Sequence, residues 1–178
     1  GFDVVDEDLD LLNPIAGTLD TLRSTLLVGL LEAASANTKA GRKQVKLFEV
    51  GSVFDAKRNE TINMAFVFSG QSSSDNLENH GKPDAIGFER FVQNISNVIG
   101  SFELAQIEPD HSLAHPYQSA QIIVDEKVIG TLFKVHPSVQ KEYDLESTYL
   151  CEISFDSLKH GLDVFSPYSK YQASYRDL

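Results

Sequence analysis

The chain has 178 residues, an apolar fraction of 42% and a net charge of −11 from 26 acidic and 15 basic residues. That length suits one domain with a real core, burying roughly 70% of the surface its unfolded chain would expose. So acidic a surface repels a phosphate backbone, which leaves RNA work to other parts of a larger protein or to one local patch; a single cysteine, Cys151, rules out an internal disulfide and suits a reducing cytosol, and no apolar run approaches the length of a membrane span.

The first ten residues carry five carboxylates, from Asp3 to Asp10, and read as a solvated acidic arm without the positive flank of a signal peptide. Asn13-Pro14 marks a turn. From Leu22, the residues Leu26, Leu27, Leu30, Leu31 and Ala34 recur at helical spacing and predict an amphipathic helix. Thr21 or Ser24 is the expected cap, and Asn37, Lys39 and Gly41 are the stop signals. Gly29 inside this helix costs about 1 kcal/mol relative to Ala, so another element is expected to pack closely there. The basic cluster Lys39, Arg42, Lys43 and Lys46 follows, and reads as a solvated helix end in preference to an RNA-touching patch.

The remainder reads mainly as strands. Val45–Val50 and Ser52–Phe54 flank Gly51, a position for a bulge or a close approach. Thr61–Ser69 is rich in β-branched and aromatic residues, whereas Gln71–Asp84 has the composition of a loop. Ile86–Ile99 returns to helical spacing and is ended by Gly100; Phe102–Ile107 is a strand. Gln118–Val124 and Val128–Val135 flank Asp125-Glu126-Lys127 as a hairpin, and Thr148–Phe155 is a last strand before a short helix from Asp156 to Gly161. Six or seven strands and two clear helices make an α+β fold with a mostly antiparallel sheet. Residues 1–166 read as the domain, and 167–178 as the start of a connection to a further one.

No constellation for chemistry emerges from this pattern. His111 and His115 are four apart, but Pro116 disfavours a shared helix, and zinc needs three or four convergent ligands. Cys151 lies in an apolar strand, where a buried inert thiol is expected. Neither a nucleophile elbow nor a glycine-rich phosphate loop occurs. Glu49, flanked by Phe48 and Val50, points to the face opposite them, with structural pairing favoured over catalysis.

The segment from Asn13 to Phe54, NPIAGTLDTLRSTLLVGLLEAASANTKAGRKQVKLFEVGSVF, resembles the catalytic-like domain of bacterial phenylalanyl-tRNA synthetase beta subunits. So do HPYQSAQIIVDEKVIGTLFKVHPSVQKEYDL, from His115 to Leu145, the strand LCEISFDSL with its single Glu, and the ending SKYQASYRDL. The residues that carry the likeness, and that it implies are structural, are Asn13, Pro14, Arg23, Gly29, Asn37, Phe48, Glu49, Gly51, His115, Pro116, Gly130, His136, Pro137, Arg176 and Asp177. Val28 stands where the family usually has Pro, Ser52 where it commonly has a basic residue, and Phe133 where it has Gly.

The resemblance implies a class II synthetase-like antiparallel sheet flanked by helices, within an (αβ)₂ enzyme that charges tRNA with phenylalanine in the cytoplasm, using ATP and magnesium held by the alpha subunit. It implies a beta core without catalytic arginines; the corresponding stretches here, GSVFDAK and YLCEISFDSL, contain none. The expectation is therefore a scaffold for the alpha subunit, with no catalytic, cofactor or metal site of its own and tRNA met only through the assembled enzyme. An exposed cluster of Phe and Tyr is expected as its docking face. The alternative is a free-standing degenerate synthetase-fold binding protein or enzyme.

Overall fold

The computed structural model describes residues 23–73, 80, 83–109 and 112–162. In chain order its elements are α1 (Leu27–Lys39), β1 (Gln44–Phe54), β2 (Glu60–Gly70), α2 (Phe88–Ile99), β3 (Glu103–Gln106), β4 (Ala114–Val124), β5 (Lys127–Val135), α3 (Pro137–Glu142), β6 (Thr148–Ser154) and α4 (Phe155–Leu162). The six strands form one antiparallel sheet in the order β1-β2-β6-β5-β4-β3. The expected α+β class holds.

Each face of the sheet carries its own core. On one face, Leu27, Leu30, Leu31 and Ala34 of α1 pack on Val45, Val67, Leu150 and Phe133, all buried. On the other, Phe91 and Ile95 of α2 and Leu158 of α4 cover Phe66, Phe68, Tyr149 and Cys151. Phe91 anchors that side, stacked on Tyr149 at 5.5 Å and edge-on to Phe68 at 5.2 Å. The two-sided burial explains why β6 is almost continuously apolar, without the alternation of a half-exposed strand.

Several local expectations change. The helix predicted from Leu22 begins at Leu27, because Arg23 and Thr25 bond to the sheet instead; Ser24 does not cap it, and Thr21 lies outside the described residues. Its end is as expected: Gly41, at φ 87°, lets Gly41 N–H reach the Thr38 carbonyl and Arg42 N–H reach that of Asn37. Gly29 is exposed, and a Cβ there would meet nothing within 4 Å among the described residues, so no described element packs closely against it. Gly51 makes no bulge, since β1 pairs with β2 in unbroken register. The β4–β5 hairpin turns on Asp125 and Glu126 alone, both at positive φ as a type I′ turn requires, and Lys127 already pairs with Val124. Ser154, not Asp156, caps α4, its hydroxyl accepting from Ser157 N–H at 3.3 Å. Four helices stand among the described residues where the periodicity gives two clear ones; α3, a single short turn of helix, is too brief for its period to register.

Two expectations follow for α1. Leu30→Ala and Leu31→Ala should each destabilise by about 2–5 kcal/mol in chemical denaturation, because both are buried under the helix. Gly29→Ala should stabilise by about 0.5–1 kcal/mol, an exposed helical position with room for a methyl group.

Candidate functional site

The sheet face beneath α1 holds a row of aligned residues. Strand register places Glu49, Ala65, Glu152, Thr131 and Gln121 side by side across β1, β2, β6, β5 and β4. Glu152 sits at its centre. Its carboxylate accepts from Leu26 N–H at 3.1 Å, from the Thr25 hydroxyl at 2.5 Å and from the Asn63 amide at 3.1 Å. The Thr25 hydroxyl in turn accepts from Leu27 N–H at 3.1 Å. Leu26, the N-cap residue, has no capping side chain of its own. A carboxylate from the sheet therefore satisfies the orphan amide of the helix start and complements its positive end.

Arg23 forms the second centre. Its Nε donates to the Ser52 carbonyl at 3.0 Å, one guanidinium nitrogen donates to Glu49 at 2.6 Å, and its own carbonyl accepts from Phe54 N–H at 3.0 Å. The ion pair is largely open to water, and such a pair stabilises by only about 0–1 kcal/mol, so its main effect is placement. A Cβ built on Gly51 would collide with the guanidinium, which explains a glycine in a regular strand: Arg23 lies over it.

Beside Glu152 a cavity of about 310 Å³ opens between the start of α1 and strands β4 and β5. Ser24, Thr25, Ser119, Thr131 and Glu152 are its polar lining, and Leu113 and Phe133 are among its apolar lining. None of the described residues lining it is Lys, Arg or His. The arrangement offers hydroxyls and one engaged carboxylate, with no fixed cation to hold a phosphate. Among the described residues no group of three or more His, Cys, Asp or Glu could hold a metal ion. Cys151 is buried, and burial foremost, with the neighbouring Glu152 charge second, pushes its thiol well above the ordinary range.

Of the residues singled out from sequence, Arg23, Glu49 and Gly51 converge, and the others disperse. Asn37 closes α1, its amide donating to the Ala33 carbonyl at 2.8 Å. Gly130 lets β5 approach β6: a Cβ there would collide with the Glu152 carbonyl oxygen and lie 2.8 Å from Ile153 Cα. His136 caps α3, its Nδ1 accepting from Ser138 N–H at 3.2 Å, with Pro137 as the first helical residue. His115, on β4 just before Pro116, accepts from Tyr117 N–H at 3.2 Å; His111 lies outside the described residues. Asn13, Pro14, Arg176 and Asp177 also lie outside them. Phe48 is 68% exposed on the opposite face and Tyr117 is 79% exposed on β4, with three strands between them, so the described aromatics make no single exposed cluster. Thr25 and Asn63 carry no mark in the sequence, and Glu152 stands out only as a lone strand Glu; its one local signal is a charge inside the apolar run Tyr149-Leu150-Cys151-Glu152-Ile153.

The family model described as "Phenylalanyl tRNA synthetase beta chain CLM domain" matches residues 3–155. The chain belongs to that family. It is similar along its whole length to phenylalanine–tRNA ligase beta subunits, 52% identical to that of Sulfurimonas denitrificans and 39% to that of Helicobacter pylori strain J99. It spans 23% of the length of each. Its fold is that of class II synthetases: two solved pyrrolysyl-tRNA synthetase structures from Desulfitobacterium hafniense superpose with TM-scores of 0.56 and 0.58 at 12% identity. Each match covers 81% of this chain, and 50% and 51% of those chains. The stretch GSVFDAK lies at the end of β1 with its turn, and YLCEISFDSL runs along β6 into α4. In the first, Asp55 closes the turn; hydrogen bonds from the Asn59 side chain, then its backbone, hold the carboxyl below the usual range.

The site yields two stability tests. Glu152→Ala should destabilise by about 1–3 kcal/mol, because it strands the Leu26 amide. Gly51→Ala should cost under about 1 kcal/mol, because the clash is with the exposed end of the Arg23 side chain, and that cost should vanish in an Arg23→Ala background. Denaturant midpoints of the single and double variants measure both.

Proposed function

We propose that the chain is the non-catalytic core of a phenylalanine–tRNA ligase beta subunit and serves as a scaffold for the alpha subunit. The whole enzyme, on this reading, is a cytoplasmic (αβ)₂ ligase that charges tRNA with phenylalanine. ATP and magnesium bind in the alpha subunit, this domain holds no cofactor, and tRNA is met through the assembled enzyme. The isolated domain is inactive.

The observation that carries the proposal is the internal pairing of the charges on the sheet face. Arg23 is taken up by Glu49 and the Ser52 carbonyl, and Glu152 by the start of α1 and Asn63. Transition-state charge is stabilised by donors aimed at the reacting group, whereas these aim at one another. The net charge of −11 further disfavours direct tRNA binding. No described helix is long and apolar enough to cross a membrane. The competing reading, a free-standing binding protein or enzyme on a degenerate synthetase fold, draws its support from the cavity beside Glu152. It requires micromolar binding of ATP or an aminoacyl-adenylate by this chain in calorimetry; the scaffold reading expects none.

The decisive test places Arg23→Met and Glu152→Gln in full-length beta subunits assembled with alpha. Aminoacylation and ATP–pyrophosphate exchange per assembled tetramer should stay within about twofold of the parent, whereas loss of a charge-stabilising group typically costs about 100-fold or more. A loss of that size at unchanged tetramer mass and melting temperature would sink the scaffold reading. Destabilising the core with Leu31→Ala should instead lower tetramer mass and aminoacylation in parallel.

A further inference from the structure

Among the described residues, the helices on the α2 side of the sheet cover β2 and β6 but leave the side chains of β1 on that side open to water. Val45 and Val53 place the odd-numbered β1 residues in the core under α1, so the even-numbered ones face the other way. There the register sets Lys46 beside Phe68, Phe48 beside Phe66 and Val50 beside Met64. Phe66 and Phe68 are buried in the core beneath α2 and α4, whereas Phe48 is 68% exposed and Val50 43%. The Phe48 and Phe66 ring centres lie 6.3 Å apart, so Phe48 extends that core outward as a ledge. Phe48 and Val50, continuous with a core, make one apolar patch instead of scattered single exposures.

The charge around the ledge indicates what fits it. From Gln44 to Ser52 on β1 and from Ile62 to Gly70 on β2, this face carries one charged side chain, Lys46, and no carboxylate. The Lys46 Nζ stands 5.4 Å from the centre of the Phe68 ring, a cation at one end of the apolar surface. Arg42 and Lys43, both exposed, precede it in the chain. Glu60, opposite Phe54 at the far end, accepts from the Ser52 hydroxyl. In a chain with 26 acidic residues against 15 basic, a face without carboxylates is where an acidic partner can approach closely. A nucleic acid needs several cations on one surface to neutralise its phosphates, and this face supplies one. A second copy would set the same lone cation and ledge against themselves and bring together two bodies of charge −11.

We propose that this ledge docks the alpha subunit, through an apolar ridge on that subunit flanked by a carboxylate that meets Lys46. The inference rests on the scaffold reading above and assigns that reading a surface. Phe48 is the anchor, an aromatic side chain of the class enriched at the buried centre of interfaces. Lys46 steers the encounter and sets the register of the partner.

Two measurements on full-length beta subunits test it. In hydroxyl-radical footprinting, the Phe48 ring should be oxidised in beta alone and protected in the assembled tetramer. In binding assays, Phe48→Ser should weaken association with alpha by about 30-fold and Lys46→Glu by about tenfold. The melting temperature of beta should stay unchanged in both variants, because both side chains are exposed. Association unaltered by either substitution overturns the proposal and leaves the scaffold reading standing. So does a Phe48 that stays reactive in the tetramer. Protection already present in monomeric beta overturns it too, and assigns the ledge to another part of that subunit; protection that comes with a dimer of beta assigns it to a second copy. Alpha that assembles normally with beta subunits lacking this domain overturns the scaffold reading along with the ledge.

Discussion

The Glu152 carboxylate fixes how the first helix meets the sheet. It belongs to β6, flanked by β2 and β5 inside the sheet, and it takes hydrogen bonds from residues at 126 and 127 positions' separation in sequence. A helix whose N-cap is a leucine has no capping side chain at that position, so the Leu26 amide goes to a partner that can supply an acceptor. Once Leu26 N–H is held on Glu152, the buried stripe from Leu27 to Ala34 is aimed at Val45, Val67 and Leu150. Arg23 is then delivered to the edge of β1. The helix that periodicity predicts from Leu22 is therefore shortened by a polar contact, and its direction is set by the same contact.

That arrangement has a consequence for chemistry. A fold alone assigns no activity, so the sheet face beneath α1 has to be read from its side chains. Here the charged side chains on that face meet their counterparts within the domain: a guanidinium on a carboxylate, and a second carboxylate on a helix start. Releasing either to grip a ligand would leave its partner short of a hydrogen bond, a cost comparable to what the new bond to the ligand would supply. The geometry favours keeping these charges paired with one another over recruiting them for a ligand.

Much of this fold is legible in the sequence because its elements obey simple periods. The α1 stripe, the β2 run and the helix ended by Gly100 need only local patterning and a stop signal. Gly51 is legible as a position demanding closeness, but not as the place where Arg23 lies over the strand, because that contact joins residues 28 apart. Glu152 is harder still. A lone Glu in an apolar strand shows that something must compensate it, and the compensating groups, Thr25, Leu26 N–H and Asn63, carry no pattern that points to it. Gly29 misleads for the opposite reason: a costly residue in a helix suggests packing, yet its surroundings are open. The family likeness links Arg23, Glu49 and Gly51 where spacing cannot, while His115, His136 and Gly130 prove to be strand, cap and strand-contact residues spread over the sheet.

The two ends of the sheet manage their open edges differently. β3 is four residues long, and a short edge strand offers little for another chain to pair with. β1 is eleven residues long, straight in register, and carries Phe48 and Val50 outward, with Lys46 as the one charged residue between its first residue and Phe48. At one end of the sheet length does the protecting, and at the other it cannot. The strand that lacks this protection is also the one approached by the chain's basic cluster, in a molecule otherwise dominated by carboxylates. Net repulsion among copies discourages edge-to-edge pairing in solution.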